Sequence, residues 1–319
     1  MLRARKLRIA LVVFCVFVSA GAAGRAAALE KELPYRQVMN VVYGETDGVG
    51  LVMDVFIPTG KGAVKAFKPS DRGKGLGIVH IASGGWDSDR SKIDMHAAFS
   101  MYHMFCARQY TVFAIRPGSK SKFTGLEMLD NCRRAIRYIK AHADEYGIDP
   151  NRLGLIGSSA GGHLSSLVAV TPIDAKPDAR DPLLRFSTRV KAVGVFFPPT
   201  DLLDWGGQEP PYERVKELFF TCGFEKHSME EIRDIARRLS PARLVSGGTP
   251  PFLISHGDAD PLVPLQQSEV FVKALKENGN EATLIVKKGG KHPWPTIANE
   301  ILEMIDWFDQ KLPTPQTVE

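Results

Sequence analysis

The stretch LGLIGSSAGGHL, from Leu153 to Leu164, changes character at its centre. Its first half is a short apolar run, typical of a strand buried on both faces, and its second half begins a pattern that predicts a helix. Between them the letters GSSAG, residues 157–161, satisfy the pattern G-x-S-x-G with Ser159 at the centre. In that pattern a serine stands on a sharp turn from strand to helix, where side chains two positions away on either side would collide. The sequence therefore predicts that Ser159 is a nucleophile on such a turn.

This stretch has three rival interpretations. If Ser158 were the central serine, its flanking residues would be Ile156 and Ala160, which are not glycines, so Ser158 is expected to serve the turn itself. The phosphate-binding glycine loops end in G-K-S/T or follow the spacing G-x-G-x-x-G, and neither occurs here. A plain glycine-rich turn packed against a sheet remains an alternative until partners for the serine are found.

Strand and helix patterns alternate on both sides of this turn, which predicts an α/β fold with a doubly wound, mostly parallel sheet. Strand patterns over Val38–Tyr43 and Leu51–Ile57 flank a glycine-rich turn and predict an N-terminal antiparallel hairpin. Helical periodicity covers Ser91–Arg108 and Leu126–Tyr146. The alternation stops over residues 198–251, a segment rich in Pro, Gly and charge that is too long for an ordinary connection. We interpret this segment as an inserted cap over the site.

A serine hydroxyl needs an adjacent base, and the base needs an acid that holds it in one tautomer. On this kind of turn the chain order is serine, then acid, then histidine. Of the eight histidines only His292 lies beyond residue 260, just after the strand pattern EATLIVK. The loop HGDADPLVP, residues 256–264, offers Asp258 and Asp260. The pattern H-G-x-x-D-x-x-V-P favours Asp260 as the acid, and Asp258 is then expected to cap its own loop.

A developing oxyanion needs backbone N–H donors. One should be the N–H of Ala160, at the start of the predicted helix. The others should come from the loop ASGGW, residues 82–86, in which Gly84 and Gly85 let the backbone approach a substrate oxygen closely. Trp86 in the same loop is predicted either to line the substrate pocket or to pack under the cap. His163, just after the turn, is expected to be a helix residue with satisfied hydrogen bonds rather than the base.

The N-terminus predicts a secretory signal peptide over residues 1–28 and a mature domain over residues 29–319. Basic residues precede an apolar run over Ile9–Ala20, which is too short to span a bilayer comfortably, and an A-x-A cleavage site follows at Ala26–Ala28. An uncleaved membrane anchor is the alternative. The prediction implies a secreted or periplasmic protein with no stable membrane span once the signal is removed.

Residues 1–28 carry five of the 41 Lys and Arg residues and none of the 36 acidic residues, so the remaining chain has 36 charges of each sign. A net charge of zero gives no electrostatic basis for binding nucleic acid. The remaining cysteines, Cys106, Cys132 and Cys222, allow at most one internal disulfide. The first two lie in helical patterns and are predicted to be small buried residues. No Cys/His spacing resembles a metal site, so neither a metal nor another cofactor is predicted.

The segments GIDPNRLGLIGSSAGGHL, SGGW, HGDADPLVP and KHPWP, in this order, resemble the α/β-hydrolase family. More narrowly, they are similar to the bacterial esterase/lipase group that includes acetyl-xylan and feruloyl-type carboxylesterases. The resemblance extends from Val38 to the final helix. It implies an α/β-hydrolase fold without a cofactor. It also implies hydrolysis of a small-molecule or carbohydrate ester by Ser159, His292 and Asp260 through an acyl-enzyme.

The chain departs from this group in one place. The family usually has H-G-G-G-W in the oxyanion loop, and here Ala82 and Ser83 replace the histidine and the first glycine. This change favours one alternative, a catalytically weak hydrolase-like binding protein. A second alternative is a prolyl-oligopeptidase-like exopeptidase, because that branch shares the acid-loop pattern. The sequence assigns neither the acyl group, nor the alcohol, nor the oligomeric state.

Overall fold

Four central strands are buried along their whole length, and they form the middle of one eight-stranded sheet. A computed structural model describes residues 33–60, 73–221 and 225–312. The predicted signal peptide, most of the loop between Gly60 and Gly75, and Cys222 lie outside the described residues. The strands are β1 Tyr35–Thr46, β2 Val49–Pro58, β3 Gly77–Ile81, β4 Thr111–Arg116, β5 Leu153–Ser158, β6 Ala192–Phe196, β7 Phe252–Gly257 and β8 Ala282–Lys287.

The helices alternate with these strands from β3 onward. They are α1 Arg90–Ala98, α2 Met101–Ala107, α3 Gly125–Ala141, α4 Ala143–Tyr146, α5 Ala160–Val170, α6 Lys216–Phe219, α7 Met229–Arg238, α8 Gln266–Glu277 and α9 Ile297–Lys311. Short 3₁₀ turns cover Pro182–Arg185, Tyr212–Arg214 and Pro241–Arg243. The segment over residues 198–251 thus contributes α6, α7 and two of the short turns between β6 and β7.

The strand order in the sheet is β1-β2-β4-β3-β5-β6-β7-β8. Strands β3 to β8 are parallel to one another, whereas β2 is antiparallel to both β1 and β4. The predicted doubly wound, mostly parallel sheet with an N-terminal antiparallel hairpin is confirmed. Because the parallel strands run the same way, the loops that follow β3, β5, β6, β7 and β8 all leave from one edge of the sheet.

The core has one apolar cluster on each face of the sheet, since successive strand residues point to opposite faces. Val79 and Leu155 belong to the cluster that packs against α3 and α5, whereas Ile78 and Ile156 belong to the cluster that packs against α2 and α9. Cys106 and Cys132 are buried free thiols, as the sequence predicts. In the part of the chain described above, none of the helices is long and apolar enough to cross a bilayer.

Two predicted helices are each divided in the structure. The helix predicted over Ser91–Arg108 is α1 and α2, separated at Ser100, whose φ is +60°. The helix predicted over Leu126–Tyr146 is α3 and α4, which meet at His142 and end at Gly147. Hydrophobic periodicity does not reveal such breaks, because the segments on both sides bury side chains against the same core.

The loop after β4, which contains Arg116-Pro117-Gly118, has a structural role. The Tyr43 hydroxyl donates to the Arg116 carbonyl at 3.0 Å, and the Asn131 amide donates to the Pro117 carbonyl at 2.9 Å. The Arg116 guanidinium also donates to the side chain of Asn40 in β1. These bonds tie the antiparallel hairpin to α3 and to the parallel part of the sheet.

Candidate active site

Loops at the carboxyl edge of the sheet bring the three predicted catalytic side chains together. The Oγ atom of Ser159, directly after β5, lies 2.9 Å from Nε2 of His292, which follows β8. The Nδ1 atom of His292 lies 2.6 Å from Oδ2 of Asp260, which follows β7. Although 133 residues separate Ser159 from His292 along the chain, parallel pairing of the strands places their ends side by side.

The turn at Ser159 has the strained backbone that the glycine pattern predicts. Ser159 has a φ of +52° and a ψ of −121°, a conformation that a serine adopts only when its surroundings impose it. A Cβ atom on Gly157 would lie 2.4 Å from the Gly161 carbonyl oxygen. A Cβ atom on Gly161 would lie 2.3 Å from the carbonyl oxygen of Ile81 in β3. Both flanking glycines are therefore required by the close approach of backbone atoms.

We expect Gly161→Ala to destabilise the protein by roughly 1–3 kcal/mol, because the new methyl group meets a backbone oxygen of β3 that has no room to move. Gly50→Ala is the matched control, since a Cβ atom at Gly50 in β2 would meet nothing within 4 Å. Urea unfolding of both variants measures the two effects, and the control should stay within about 0.5 kcal/mol of the wild type. Equal unfolding midpoints for the Gly161 variant and the wild type would contradict the steric argument.

Glycines also bring the acid loop and the histidine loop together. A Cβ atom on Gly257 would lie 2.1 Å from the Gly290 carbonyl oxygen, so the two loops touch through their backbones. The same Gly290 oxygen accepts a hydrogen bond from the Ala259 N–H at 3.0 Å. The carboxylate of Asp258 accepts from the Gly289 N–H at 2.6 Å. The expectation that Asp258 caps its own loop is thus wrong in detail, because its side chain bridges to the neighbouring loop.

Asp260, rather than Asp258, caps the acid loop, and it faces His292 at the same time. Its Oδ1 atom accepts from the N–H groups of Leu262 and Val263 at 2.8 and 3.0 Å, which leaves Oδ2 for His292. Burial raises the pKa of the Asp260 carboxyl, but hydrogen bonds from His256, His292 and Val263 outweigh this effect. The pKa therefore lies well below its usual range, and the group is a carboxylate at neutral pH.

The negative charge of Asp260 determines the tautomer of His292. A carboxylate oxygen only accepts, so the Nδ1 atom of His292 carries the proton that lies between them. The Nε2 atom of the neutral ring is then an acceptor, and it faces the hydroxyl of Ser159. This arrangement can withdraw a proton from Ser159 and hold the resulting positive ring against Asp260.

The three backbone N–H groups predicted to bind an oxyanion are not equally available in the structure. The N–H of Gly84 donates to the Asp87 carbonyl at 3.0 Å, within a short antiparallel bridge, so it is already committed. The N–H groups of Gly85 and Ala160 have no acceptor among residues 33–60, 73–221 and 225–312. The bridge is a property of the folded loop, and the letters ASGGW do not reveal it.

His163 supports the loop over residues 82–86, which is predicted to contribute to an oxyanion hole. The Trp86 indole N–H donates to Nδ1 of His163 at 3.1 Å, and the Nε2–H of His163 donates to the Leu239 carbonyl at 2.7 Å. Burial lowers the pKa of His163 to about 4, so the ring is neutral and can accept from Trp86 at neutral pH. His163 is thus a helix residue with both nitrogens satisfied, as predicted.

Ser159 lines a cavity of about 390 Å³. Its lining is mostly apolar. The segment over residues 198–251 contributes Pro199, Trp205, Pro211 and Val215. The helices α1, α2 and α9 contribute Met95, Met101, Ile297 and Ile301, and Phe99 comes from between α1 and α2. Trp86 lines the cavity and is almost fully buried, and its contact with substrate stays a prediction.

Sequence reasoning missed some residues at the site. The ring of Phe197, which has a φ of +37°, packs with its centroid 4.2 Å from that of His292. His256 approaches Oδ2 of Asp260 at 3.5 Å and could have been noticed from the acid-loop pattern that contains it. His96 lies beside Ser158 at the cavity wall. No motif marks Phe197 or His96, because their positions depend on elements that are distant in the chain.

The sheet order, the strained serine turn between β5 and α5, and the chain order Ser159, Asp260, His292 define the α/β-hydrolase class of proteins. A family model agrees, and the chain belongs to the BD-FAE family, which matches residues 67–275. The predicted membership of an α/β-hydrolase esterase family is confirmed.

Individual relatives agree with this placement. A probable carboxylic ester hydrolase of Mycobacterium tuberculosis, LipM, is 30% identical over 63% of this chain and 44% of its own length. An acetylxylan esterase of Xylanibacter ruminicola is 23% identical over 81% of this chain and 50% of its own length. The chain therefore spans about half the length of these curated relatives.

Among solved structures, a truncated carbohydrate esterase from gut microbiota superposes with a TM-score of 0.68 at 24% identity. The superposition covers 88% of this chain and 98% of that one. At this identity the likeness shows the fold, and the predicted α/β-hydrolase fold is confirmed.

Proposed function

We propose that this protein is a carboxylic ester hydrolase that uses Ser159 as its nucleophile. The observation that carries the proposal is the unbroken hydrogen-bonded chain from Ser159 through His292 to Asp260 at the wall of an apolar cavity. The membership of the BD-FAE family and the relatives named as ester hydrolases support it.

The reaction follows from the positions of three side chains. The Oγ atom of Ser159 attacks the ester carbonyl carbon while His292 Nε2 takes its proton. His292 then returns that proton to the departing alcohol, which leaves an acyl group on Ser159. Water attacks the acyl-enzyme with His292 again as base, and the acid is released. Throughout, Asp260 holds the tautomer of His292 and stabilises its positive form.

The oxyanion that forms in each attack needs donors that are not already used. The N–H groups of Gly85 and Ala160 meet this condition among the described residues. Gly85 lies on the loop after β3, and Ala160 is the first residue of α5, directly after Ser159. We assign the oxyanion hole to this pair and give Gly84 the task of closing the loop through Asp87. The contact between Trp86 and His163 holds the loop where a family histidine is absent.

The substrate proposed is a small-molecule or carbohydrate ester. The mostly apolar cavity suits a short acyl or alkyl group, and the similarity to proteins named acetylxylan esterase and carbohydrate esterase supports a sugar ester. The segment over residues 198–251 is proposed to act as a cap, since four of its residues line the cavity. Export by the segment over residues 1–28 is proposed from its basic and apolar pattern.

A fluorophosphonate probe tests the proposal directly, because it reacts only with a serine that an adjacent base activates. We expect stoichiometric labelling of the folded protein, with the adduct mapped by mass spectrometry to Ser159, and no labelling after denaturation in urea. A folded protein without labelling would identify it as a binding protein instead. Faster turnover of an aminoacyl p-nitroanilide than of p-nitrophenyl acetate would instead identify an exopeptidase.

A further inference from the structure

A second serine–histidine pair stands next to Ser159, and the proposed reaction does not use it. The Oγ atom of Ser158, the last residue of β5, lies 2.8 Å from Nε2 of His96 on α1. Both residues line the cavity, and both are almost fully buried, with 9% and 6% of their surface exposed. The role of this polar pair in a mostly apolar wall remains to be assigned.

The direction of this hydrogen bond follows from the other nitrogen of the ring. Nδ1 of His96 lies 2.6 Å from the carbonyl oxygen of Lys92, and a carbonyl oxygen only accepts, so Nδ1 carries a proton. Burial lowers the pKa of His96, which keeps the ring neutral at neutral pH. Nε2 is then an acceptor, and the hydroxyl of Ser158 must donate to it. The proton of Ser158 is thus committed, while the lone pairs of its oxygen are available to the cavity.

This pair differs from the proposed catalytic chain in its third member. His292 is backed by the carboxylate of Asp260, whereas His96 is backed by a neutral backbone carbonyl. On its other side the ring of His96 packs against His80, with ring centroids 4.4 Å apart. Burial likewise lowers the pKa of His80 well below its usual value, and its Nδ1 is bonded to the Tyr102 hydroxyl. With neutral groups around it, His96 is suited to orient a hydroxyl rather than to take its proton.

The surroundings of Ser158 specify what would bind there. The cavity that Ser158 lines is mostly apolar. Its lining includes Met95, Met101, Ile297 and Ile301 from α1, α2 and α9, and Phe99 between α1 and α2. An alkyl group in this part of the cavity leaves the Ser158 oxygen without a donor, and such an unpaired polar atom costs free energy. A ligand that carries a hydroxyl at this point satisfies it.

We propose that Ser158, oriented by His96, accepts a hydrogen bond from a hydroxyl group of the ester substrate. The inference rests on the proposed ester hydrolysis and deepens it, since it makes Ser158 a specificity-determining residue. The preferred substrate class is an ester with a free hydroxyl close to the bond that is cleaved, in preference to the alkyl ester of the same shape. The hydroxyl belongs to the acyl or to the alcohol part, and the test separates these two sources.

The test uses two isosteric pairs that exchange a hydroxyl for a methyl group. Methyl glycolate against methyl propionate examines the acyl part, and 2-hydroxyethyl acetate against propyl acetate examines the alcohol part. For each pair kcat/KM is measured by titration at constant pH, and the ratio is divided by the ratio for hydroxide-catalysed hydrolysis, which removes intrinsic reactivity. We expect the wild type to favour the hydroxylated ester by about tenfold in one pair, the effect of one hydrogen bond.

Variants assign that preference to Ser158. Ser158→Ala is expected to lose the preference, and His96→Leu should reduce it because the Ser158 proton is then free to turn into the cavity. Ser165→Ala is the matched control. It removes a buried serine hydroxyl from α5 that lines no part of the cavity and has no hydrogen-bond partner in the described chain, so its ratio should equal that of the wild type.

The outcomes separate the two proposals. A normalised ratio near one in both pairs for the wild type overturns the role of Ser158, while ester hydrolysis stands. A wild-type preference that survives in Ser158→Ala overturns it equally. Because the wild-type preference for the hydroxylated ester is measured first, its absence overturns the role of Ser158 even if a variant does not fold. Folded wild-type protein that cleaves none of the four esters overturns the proposed function itself.

Discussion

Ser159→Ala is expected to lower kcat for p-nitrophenyl acetate on the order of 10⁶-fold, the loss that follows when the nucleophile of such a catalytic set is removed. The reason is geometric, since Oγ of Ser159 is the atom within hydrogen-bonding reach of His292 Nε2 at the floor of the cavity. Without that oxygen no acyl-enzyme forms, and only the stabilisation of the oxyanion remains. Steady-state kinetics with purified variant protein measures the effect.

Ser165→Ala is again the control, because it is the same substitution on the helix that begins at the nucleophile. It should keep kcat within a few-fold of the wild type, and both variants should unfold at similar urea concentrations. Turnover by Ser159→Ala within tenfold of the wild type would show that another residue attacks the ester. Labelling of that variant by the fluorophosphonate probe would then locate it.

Asp260→Asn is expected to lower kcat about 10⁴-fold with little change in structure. The low pKa of Asp260 means that an ionised carboxylate faces His292 at neutral pH, and that charge keeps the ring proton on Nδ1. An asparagine amide can donate to Nδ1, which would move the proton to Nε2 and remove the acceptor for Ser159. The loss should therefore appear mainly in kcat, with KM changed much less.

The acid loop provides a control with the same type of substitution, Asp258→Asn. Asp258 is exposed and bridges to the Gly289 N–H, two residues away from Asp260. Asp258→Asn removes one charge from the loop but leaves the His292 tautomer untouched, so activity should stay within about tenfold. Equal losses in the two variants would attribute the effect to the shape of the loop and contradict tautomer control by Asp260.

The sequence alone determined the main features of the fold and the order of the site. Runs of apolar residues with helical segments between them predicted the parallel sheet, because strands buried on both faces are nearly continuous apolar runs. Glycines on either side of Ser159 predicted the strained turn, and Gly157 indeed avoids a local collision with the Gly161 carbonyl. Gly161 avoids the Ile81 carbonyl of β3 instead, a contact that exists only in the folded sheet. His292 followed by elimination, as it is the last histidine in the chain.

Other features depended on contacts between residues far apart in sequence. The Gly84 N–H is committed to Asp87 by the fold of its loop, so of the three predicted donors Gly85 and Ala160 are left without an acceptor in the described part of the chain. The support of Trp86 by His163 crosses 77 positions, and the pairing of His96 with Ser158 crosses 62. No local pattern encodes such contacts, because side chains with no motif meet only after the sheet has formed.

The two adjacent serines within LGLIGSSAGGHL show which features are local and which depend on the tertiary structure. Local sterics, readable from the spacing of glycines, determined that Ser159 occupies the centre of the turn. Only the tertiary structure decided what Ser158 does, because its partner His96 comes from a helix more than sixty residues earlier. Spacing within a few residues is governed by backbone geometry, whereas the surroundings of a buried hydroxyl are governed by which helices pack over the edge of the sheet.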